Sequence, residues 1–179
     1  MRSLRIFGLA ALLVLGCSLL APGASALAAQ SRYFTVRWSN PELLRDFNDN
    51  LMIGRLGRFI QKKNIVTVED EVYAKLDVIL EKAQLVLDMY PPKMKVTVVL
   101  LPDKNAVAAV YQQKYGKEAN NIAYYSLSEN TVYVSVDDVN LRVIAHELGH
   151  AIVNHYFKER PPYQIHELMA QFTEKHITD

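Results

Sequence analysis

Apolar and polar positions along the first half of the chain predict one strand followed by two helices. Apolar and polar residues alternate from Tyr33 to Trp38, which is typical of a half-buried strand. Pro41 then stands where a first helix would begin. A longer helix is predicted from Glu69 to Met89, because apolar residues recur there at helical spacing. The sequence from Thr67 to Asp70 resembles a capping box at its start.

The second half of the chain predicts a strand, a helix and a hairpin. Lys95 to Leu101 is rich in β-branched residues and predicts a buried strand. Asp103 would open the next helix and Gly116 would end it. Two strand patterns, Ile122 to Leu127 and Thr131 to Val136, flank a short polar turn, which indicates a hairpin.

This mixed order of strands and helices predicts an α+β fold with a small mixed or antiparallel sheet. Residues 30–179 contain no internal repeat, low-complexity tract or linker, so a single domain is expected. Half of the residues (50%) are hydrophobic and glycine and proline are few, which excludes a disordered or fibrous protein.

The N-terminus has the pattern of a secretory signal peptide. Two arginines precede an apolar run from Ile6 to Leu20, and small residues follow it. Cleavage is expected after Ala26 or Ala28, so residues 1–28 are interpreted as the signal peptide and the mature domain begins near Gln30. We therefore expect an exported protein, either periplasmic or secreted.

Cys17 is the single cysteine and lies inside this leader. The sequence from Val14 to Cys17 resembles a bacterial lipobox, so Cys17 is either a lipid-anchor site or an ordinary residue of a discarded peptide. A membrane association is expected only through such an anchor or through an uncleaved leader. The predicted domain has no cysteine, which excludes disulfides and thiolate ligands there.

Charge gives no indication of a nucleic-acid partner. The formal net charge is +1, and it becomes about −1 when the two arginines of the leader are removed. The densest basic stretch, Arg55 to Lys63, is interrupted by apolar residues and is interpreted as a solvated helix face. No nucleic-acid partner is therefore expected.

The most informative sequence is an HExxH motif in which His146, Glu147 and His150 lie on one predicted helix. Asp137 or Asp138 would cap this helix. Residues four apart share one helix face, so both imidazoles can bind one ion. Zinc prefers a tetrahedral shell of such ligands, and a catalytic site keeps one position for water. Glu147 is then placed to act as general base toward that water.

A third ligand is expected from a following helix. After a proline-rich break, apolar residues recur at helical spacing through Ile165, Leu168, Met169 and Phe172, and Glu167 lies among them. Antiparallel packing of this helix on the motif helix would bring the Glu167 carboxylate to the histidines. The sequence therefore predicts one Zn²⁺ per chain, held by two histidines and one glutamate.

The stretch from Asn130 to His176 resembles the gluzincin metallopeptidases, the thermolysin-like group, and especially their small bacterial members. It covers about a quarter of the chain. Glu167, Ala170 and Phe172 match the family pattern of a glutamate, two residues, a small residue and then an aromatic. The resemblance implies a zincin-like core, zinc-ligand roles for His146, His150 and Glu167, and the general-base role for Glu147.

The resemblance further implies a peptidase that cleaves peptide or protein substrates. An extended substrate would pair with an edge strand, for which Thr131 to Val136 is the family-based expectation. The sequence departs from the pattern at Leu168, where many small members have glycine, and at Gln171, where thermolysin-like enzymes have an aspartate that orients the first histidine. By residue type, the candidate oxyanion donors are Tyr163, His166, Tyr124 and Tyr125.

Two alternatives remain open on the sequence alone. The domain could be a non-catalytic peptide- or protein-binding module, or an enzyme that acts on a bond other than a peptide bond. Three further histidines, His155, His166 and His176, are interpreted as surface residues. His155 is five residues past His150 and therefore points away from the motif's face.

Overall fold

The centre of the protein is a mixed five-stranded sheet, seen in a computed structural model that describes residues 27–60 and 65–179. The strands run in the order β1-β2-β3-β5-β4 across the sheet. The two outer pairs are antiparallel and the two inner pairs are parallel. Their bounds are β1 (Leu27–Gln30), β2 (Phe34–Trp38), β3 (Val96–Leu101), β4 (Ala123–Ser126) and β5 (Thr131–Ser135).

Six helices accompany the sheet in this part of the chain, which confirms the predicted α+β class. In the described ranges, no helix combines the length and the apolar character needed to cross a membrane. The helices are α1 (Pro41–Asn50), α2 (Gly57–Ile60), α3 (Val68–Leu87), α4 (Lys104–Tyr115), α5 (Leu141–Tyr156) and α6 (Tyr163–His176).

Most of the predicted helix ends are confirmed. The Thr67 side chain accepts from the Asp70 amide and Asp70 reaches back to the Thr67 amide, which completes the capping box of α3. Asp103 caps the start of α4, and Gly116 ends it at a φ of 65°. Helix α3 is shorter than predicted, because Asp88 adopts a left-handed φ of 52° and ends it after Leu87.

The predicted cap of the motif helix α5 is wrong. Asn140, not Asp137 or Asp138, is the N-cap, and its side-chain oxygen accepts from the amides of Arg142 and Val143 at 3.0 and 3.1 Å. The Asp138 carboxylate is already engaged, because it accepts a hydrogen bond of 2.6 Å from the Ser135 hydroxyl.

The two faces of the sheet are covered by different helices. Alternate strand residues such as Phe34, Val98 and Val134 belong to the main core, which includes α1, α3 and α5. Residues of the opposite face, including Tyr124 and Tyr133, pack against α4. The sheet therefore separates a large core from a smaller, tyrosine-rich one.

Helices α5 and α6 pack tightly against each other, and Gly149 of the motif is the reason. A Cβ at Gly149 would lie 2.9 Å from the Ala170 Cα and 3.0 Å from the Thr173 Oγ1. The side chains at 149 and 170 must both be small for the helices to approach this closely. This contact brings the Glu-bearing helix onto the motif helix, as the sequence predicted.

The edge strand beside the motif helix is β4, not the predicted segment Thr131 to Val136. Strand β5 lies inside the sheet between β3 and β4, so its backbone is paired on both sides. The Ser135 amide donates to the Ile122 carbonyl. From Ile122 onward, every second residue on this side of the hairpin is therefore the one that hydrogen-bonds to β5. Ala123 and Tyr125 consequently direct their backbone N–H and C=O groups away from β5, toward the free edge.

The predicted leader lies almost wholly outside the described residues. Residues 1–26, including Cys17 and its lipobox-like sequence, are not part of the description. The last two residues of the predicted leader, Leu27 and Ala28, belong to the backbone of β1. Cleavage after Ala26 would leave this strand whole.

Candidate active site

The structure brings together the three side chains that the sequence predicted as metal ligands. His146 and His150 lie on α5 and Glu167 on α6, and one ligand atom from each lies within 4.8 Å of the other two. The Nε2 atom of His146 is 3.6 Å from Oε1 of Glu167, and the Nε2 atom of His150 is 3.6 Å from Oε2 of the same carboxylate. The carboxylate therefore lies between the two imidazoles.

The three side chains could hold one metal ion. Ligand atoms about 2.1 Å from a tetrahedral zinc lie about 3.4 Å apart, and each histidine Nε2 is 3.6 Å from a different oxygen of the Glu167 carboxylate. The three side chains are 15–29% exposed, so a water molecule has access to the remaining position. Two imidazole nitrogens and one carboxylate oxygen are a donor set known for catalytic zinc.

Glu174 supports the first histidine. The Nδ1 atom of His146 is 3.1 Å from the Glu174 carboxylate, which leaves Nε2 for a metal ion. Such a carboxylate fixes the tautomer and the orientation of a ligating imidazole. Glu174 was not predicted from the sequence, although Glu174 follows Glu167 by seven residues and therefore lies on the same helix face. Gln171, the position compared with the family aspartate, instead donates to Glu167 at 3.0 Å.

His166 supports the second histidine, and its interpretation as a surface residue is wrong. It is only 1% exposed, and its Nδ1 atom lies 3.4 Å from the Nδ1 atom of His150. Burial, together with the neighbouring His146, lowers the pKa of His150 to about 4. His150 is thus a neutral imidazole at physiological pH, the form that binds metal ions. His155 and His176 are partly exposed and do not line the site.

Glu147 is buried beside the ligands, with 7% exposure. Burial raises the pKa of its carboxyl to about 8, and the charges of Glu167 and Glu174 act in the same direction. A hydrogen bond from the backbone of Tyr125 on β4 opposes this shift. Glu147 therefore lies next to the candidate metal ligands and to β4, with a pKa raised above that of an ordinary carboxyl.

These residues line one wall of a cavity of about 790 Å³. The cavity runs along the free edge of β4, and the tyrosines Tyr111 and Tyr115 of α4 also line the cavity. Its volume is within the usual range for a ligand site. One cleft thus contains the candidate metal ligands, the buried carboxyl and a strand edge that no described strand covers.

Comparisons connect this chain to no known protein. Neither a protein-family model, nor a curated protein, nor a solved structure matches it. The resemblance of residues 130–176 to gluzincins therefore stays a prediction. The function has to follow from the chemistry of the cleft.

The four candidate oxyanion donors occupy different environments. The Tyr163 hydroxyl donates to the Glu167 carboxylate at 3.3 Å, and the charge of Glu167 raises the pKa of the Tyr163 hydroxyl. The Tyr125 hydroxyl is used in the core, since it bonds to the Asn130 and Asn154 side chains. The Tyr124 hydroxyl is buried and His166 lies behind His150. Tyr163 is therefore the candidate whose hydroxyl extends to the metal ligands.

The buried face of α6 differs from the one its apolar residues indicate. Ile165, Leu168 and Phe172 are 43–61% exposed, whereas His166, Ala170 and Thr173 are buried. Ala170 and Thr173 lie on this face because α5 approaches closely there at Gly149. His166 lies on the same face, beside His150. His166, Ala170 and Thr173 are four and three residues apart, so they share one helix face. This spacing could have identified His166 as a buried residue from the sequence.

Proposed function

We propose that this chain is an exported zinc-dependent hydrolase that cleaves peptide bonds in peptide or protein substrates. The observation that carries the proposal is the convergence of His146, His150 and Glu167 within 4.8 Å beside the buried Glu147. The edge strand, the motif helix and the Glu-bearing helix would together form a zincin-like core.

A bound zinc ion would supply a Lewis acid that lowers the pKa of a water molecule and polarises the scissile carbonyl. Glu147 would accept a proton from the attacking water as the water oxygen joins the carbonyl carbon. The same carboxyl would then deliver that proton to the amine nitrogen as the C–N bond breaks. Burial raises the pKa of Glu147, which makes its carboxylate form a stronger base than an exposed carboxylate.

The free edge of β4 would hold the substrate. Ala123 directs its backbone N–H and C=O to the side where Glu147 lies, and the Tyr125 N–H already donates to Glu147, so an extended peptide would add to the sheet beside that carboxyl. Such pairing would hold a peptide by its main chain and would place one of its carbonyl groups beside the metal ligands. The strand edge is the feature that favours a peptide over another substrate.

Tyr163 would stabilise the negative charge that develops on the carbonyl oxygen. Its hydroxyl bonds to Glu167 at 3.3 Å and its ring is 65% exposed, so it is free to turn toward a bound substrate. A positioned hydroxyl donor of this kind acts mainly in the transition state.

A non-catalytic peptide-binding module is the second candidate, and the free β4 edge favours it equally. Both functions use the same strand, and they differ in whether Glu147 transfers protons.

Export is proposed from the leader alone, and N-terminal sequencing of the mature protein tests it. A start at Leu27 or Ala29 supports export with cleavage of the leader, and recovery of the chain with Met1 retained in the cytoplasmic fraction contradicts export.

Metal analysis tests the ligand set. Zinc is counted per chain in the wild type, His150→Ala and Glu167→Ala, with His155→Ala as a control on the same helix but outside the site. About one zinc is expected in the wild type and in the control, and a strong loss in the other two variants. Absence of zinc from the wild type would overturn the proposal.

Hydrolysis of fluorescein-labelled casein tests the enzyme against the binding module. Glu147→Gln should keep its zinc and lose hydrolysis, because the amide cannot accept the proton. Glu42→Gln, an exposed residue of α1, should behave as the wild type. If the wild type binds peptides but Glu147→Gln changes nothing in the assay, the binding module is the better description.

A further inference from the structure

The α4 side of the cavity contains three tyrosines whose rings contact one another. Tyr111 and Tyr115 of α4 have ring centroids 4.7 Å apart, and Tyr124 of β4 lies 5.0 Å from Tyr111 in an edge-to-face arrangement. The Tyr115 hydroxyl bonds to the Ser126 side chain at 2.8 Å, which ties α4 to the edge strand. These three rings, called the tyrosine wall below, all line the cavity.

The tyrosine wall presents ring surface rather than charge. Tyr111 is only partly buried and Tyr115 is 40% exposed, so both rings have faces open to the cleft. Among the described residues that line the cavity, every acidic, basic or imidazole side chain comes from α5, α6 or the segment between them: His146, Glu147, His150, Arg160, His166 and Glu167. The ionisable acidic, basic and imidazole groups of the cleft therefore lie on one side, away from Tyr111 and Tyr115.

Strand geometry directs part of the substrate toward this wall. Successive side chains of an extended chain point to opposite faces of a sheet. The Tyr124 side chain points to the α4 face, whereas Ala123 and Tyr125 belong to the core on the α5 face. A peptide residue that pairs opposite Tyr124 would consequently place its side chain on the α4 face, among the rings.

We propose that Tyr111 and Tyr115 bind an aromatic side chain of an extended peptide, at the position opposite Tyr124. The inference rests on the proposed function, because it requires a peptide on the β4 edge. Aromatic rings favour offset and edge-to-face contacts with further rings, and the wall already has this geometry. The tyrosine wall then determines specificity, while α5 and α6 supply the chemistry.

Binding to the Glu147→Gln protein tests this proposal without hydrolysis. The probes are acetylated, amidated octapeptides of alternating alanine and serine, in which one phenylalanine is moved through all eight positions. Their dissociation constants are measured for the zinc-loaded protein. Phenylalanine at one position should bind about three- to tenfold more tightly than at its neighbours, the range expected for one aromatic contact.

Variants in the Glu147→Gln background assign that preference to the wall. Tyr111→Ala and Tyr115→Ala should each remove most of it, and Tyr111→Phe should retain it because the ring remains. Tyr90→Ala, at an exposed tyrosine outside the cavity, is the matched control and should leave it unchanged. A preference that persists in both alanine variants, or that is absent from the start, overturns the proposal.

The outcomes separate this inference from the proposed function. Casein hydrolysis by the wild type without a positional preference in the binding assay would overturn the inference alone. A wall-dependent preference without any hydrolysis would overturn the enzyme and keep the inference. If no octapeptide binds and no casein is cleaved, both fail.

Discussion

Each histidine of the motif uses its two ring nitrogens for different purposes. The Nδ1 atoms face Glu174 and His166, and the Nε2 atoms face the Glu167 carboxylate. An imidazole held on one side in this way keeps its orientation when a metal ion arrives on the other. The site is therefore preorganised by residues that the motif itself does not contain.

The contribution of Glu174 can be measured directly. Glu174→Ala should weaken zinc binding by about 10- to 100-fold, because the His146 ring loses its acceptor. Competition with a zinc-binding dye gives the affinity. Glu174→Gln, which keeps an acceptor oxygen, should give an intermediate loss, and Glu42→Ala should give none. Equal zinc affinity in Glu174→Ala and the wild type would show that the carboxylate does not support the ligand.

Tyr163 is expected to act in the transition state. Tyr163→Phe should lower kcat by about 100-fold, since a lost oxyanion donor costs that much, with KM and zinc content little changed. Steady-state kinetics on a peptide substrate make the comparison. Tyr156→Phe removes an exposed hydroxyl that does not line the cavity and should leave kcat unchanged. A kcat for Tyr163→Phe equal to the wild-type value would exclude Tyr163 as the donor.

At the scale of elements, the decisive contact is the one between α5 and α6. Gly149 lies inside the motif, yet its hydrogen side chain faces Ala170 and Thr173 of the next helix. The distance between the two helices sets the position of Glu167 relative to both histidines. A residue that binds no metal thus controls the ligand geometry.

Gly149→Ala tests this control. The added methyl group would lie 2.9 Å from backbone at Ala170, so the helices must separate. Overpacking of this kind costs about 1–3 kcal/mol, which lowers the melting temperature by several degrees, and zinc affinity should fall as Glu167 moves. Gly57→Ala is the control, because nothing lies within 4 Å of its added Cβ. Unchanged melting and zinc binding in Gly149→Ala would mean that the helices adapt without moving the ligand.

The order of the strands in the sheet was not predicted correctly from the sequence. The hairpin of β4 and β5 was predicted correctly, and so was its position before the motif helix. Sequence alone did not determine which of the two strands would be the edge. That depends on the pairing of β3 with β5, between residues more than thirty positions apart.

For the molecule as a whole, a metal ion would link elements that are distant along the chain. Zinc that binds only the folded state stabilises it by about 2.7 kcal/mol at a free concentration 100 times the dissociation constant. For a domain of this size we expect the melting temperature to rise by about 5–10 °C. Thermal unfolding with zinc and with a chelator makes the measurement. His155→Ala should show the full shift and His150→Ala none, and an equal shift in both would place the zinc elsewhere.

The amino-acid sequence is sufficient to predict the histidine pair and most of the local structure. Caps such as Asp103 and the Thr67–Asp70 box act within one helical turn, so short stretches of sequence specify them. The two histidines are four residues apart on one helix, and that spacing alone brings them together.

The surroundings of the motif depend on how separate elements pack together. Glu174 and His166 support the histidines, β4 forms the edge, and the tyrosine wall lines the same cleft as the ligands. Each of these facts depends on contacts between separate elements. Such contacts are set by packing over the whole core, where a small residue such as Gly149 fixes distances that no local pattern contains.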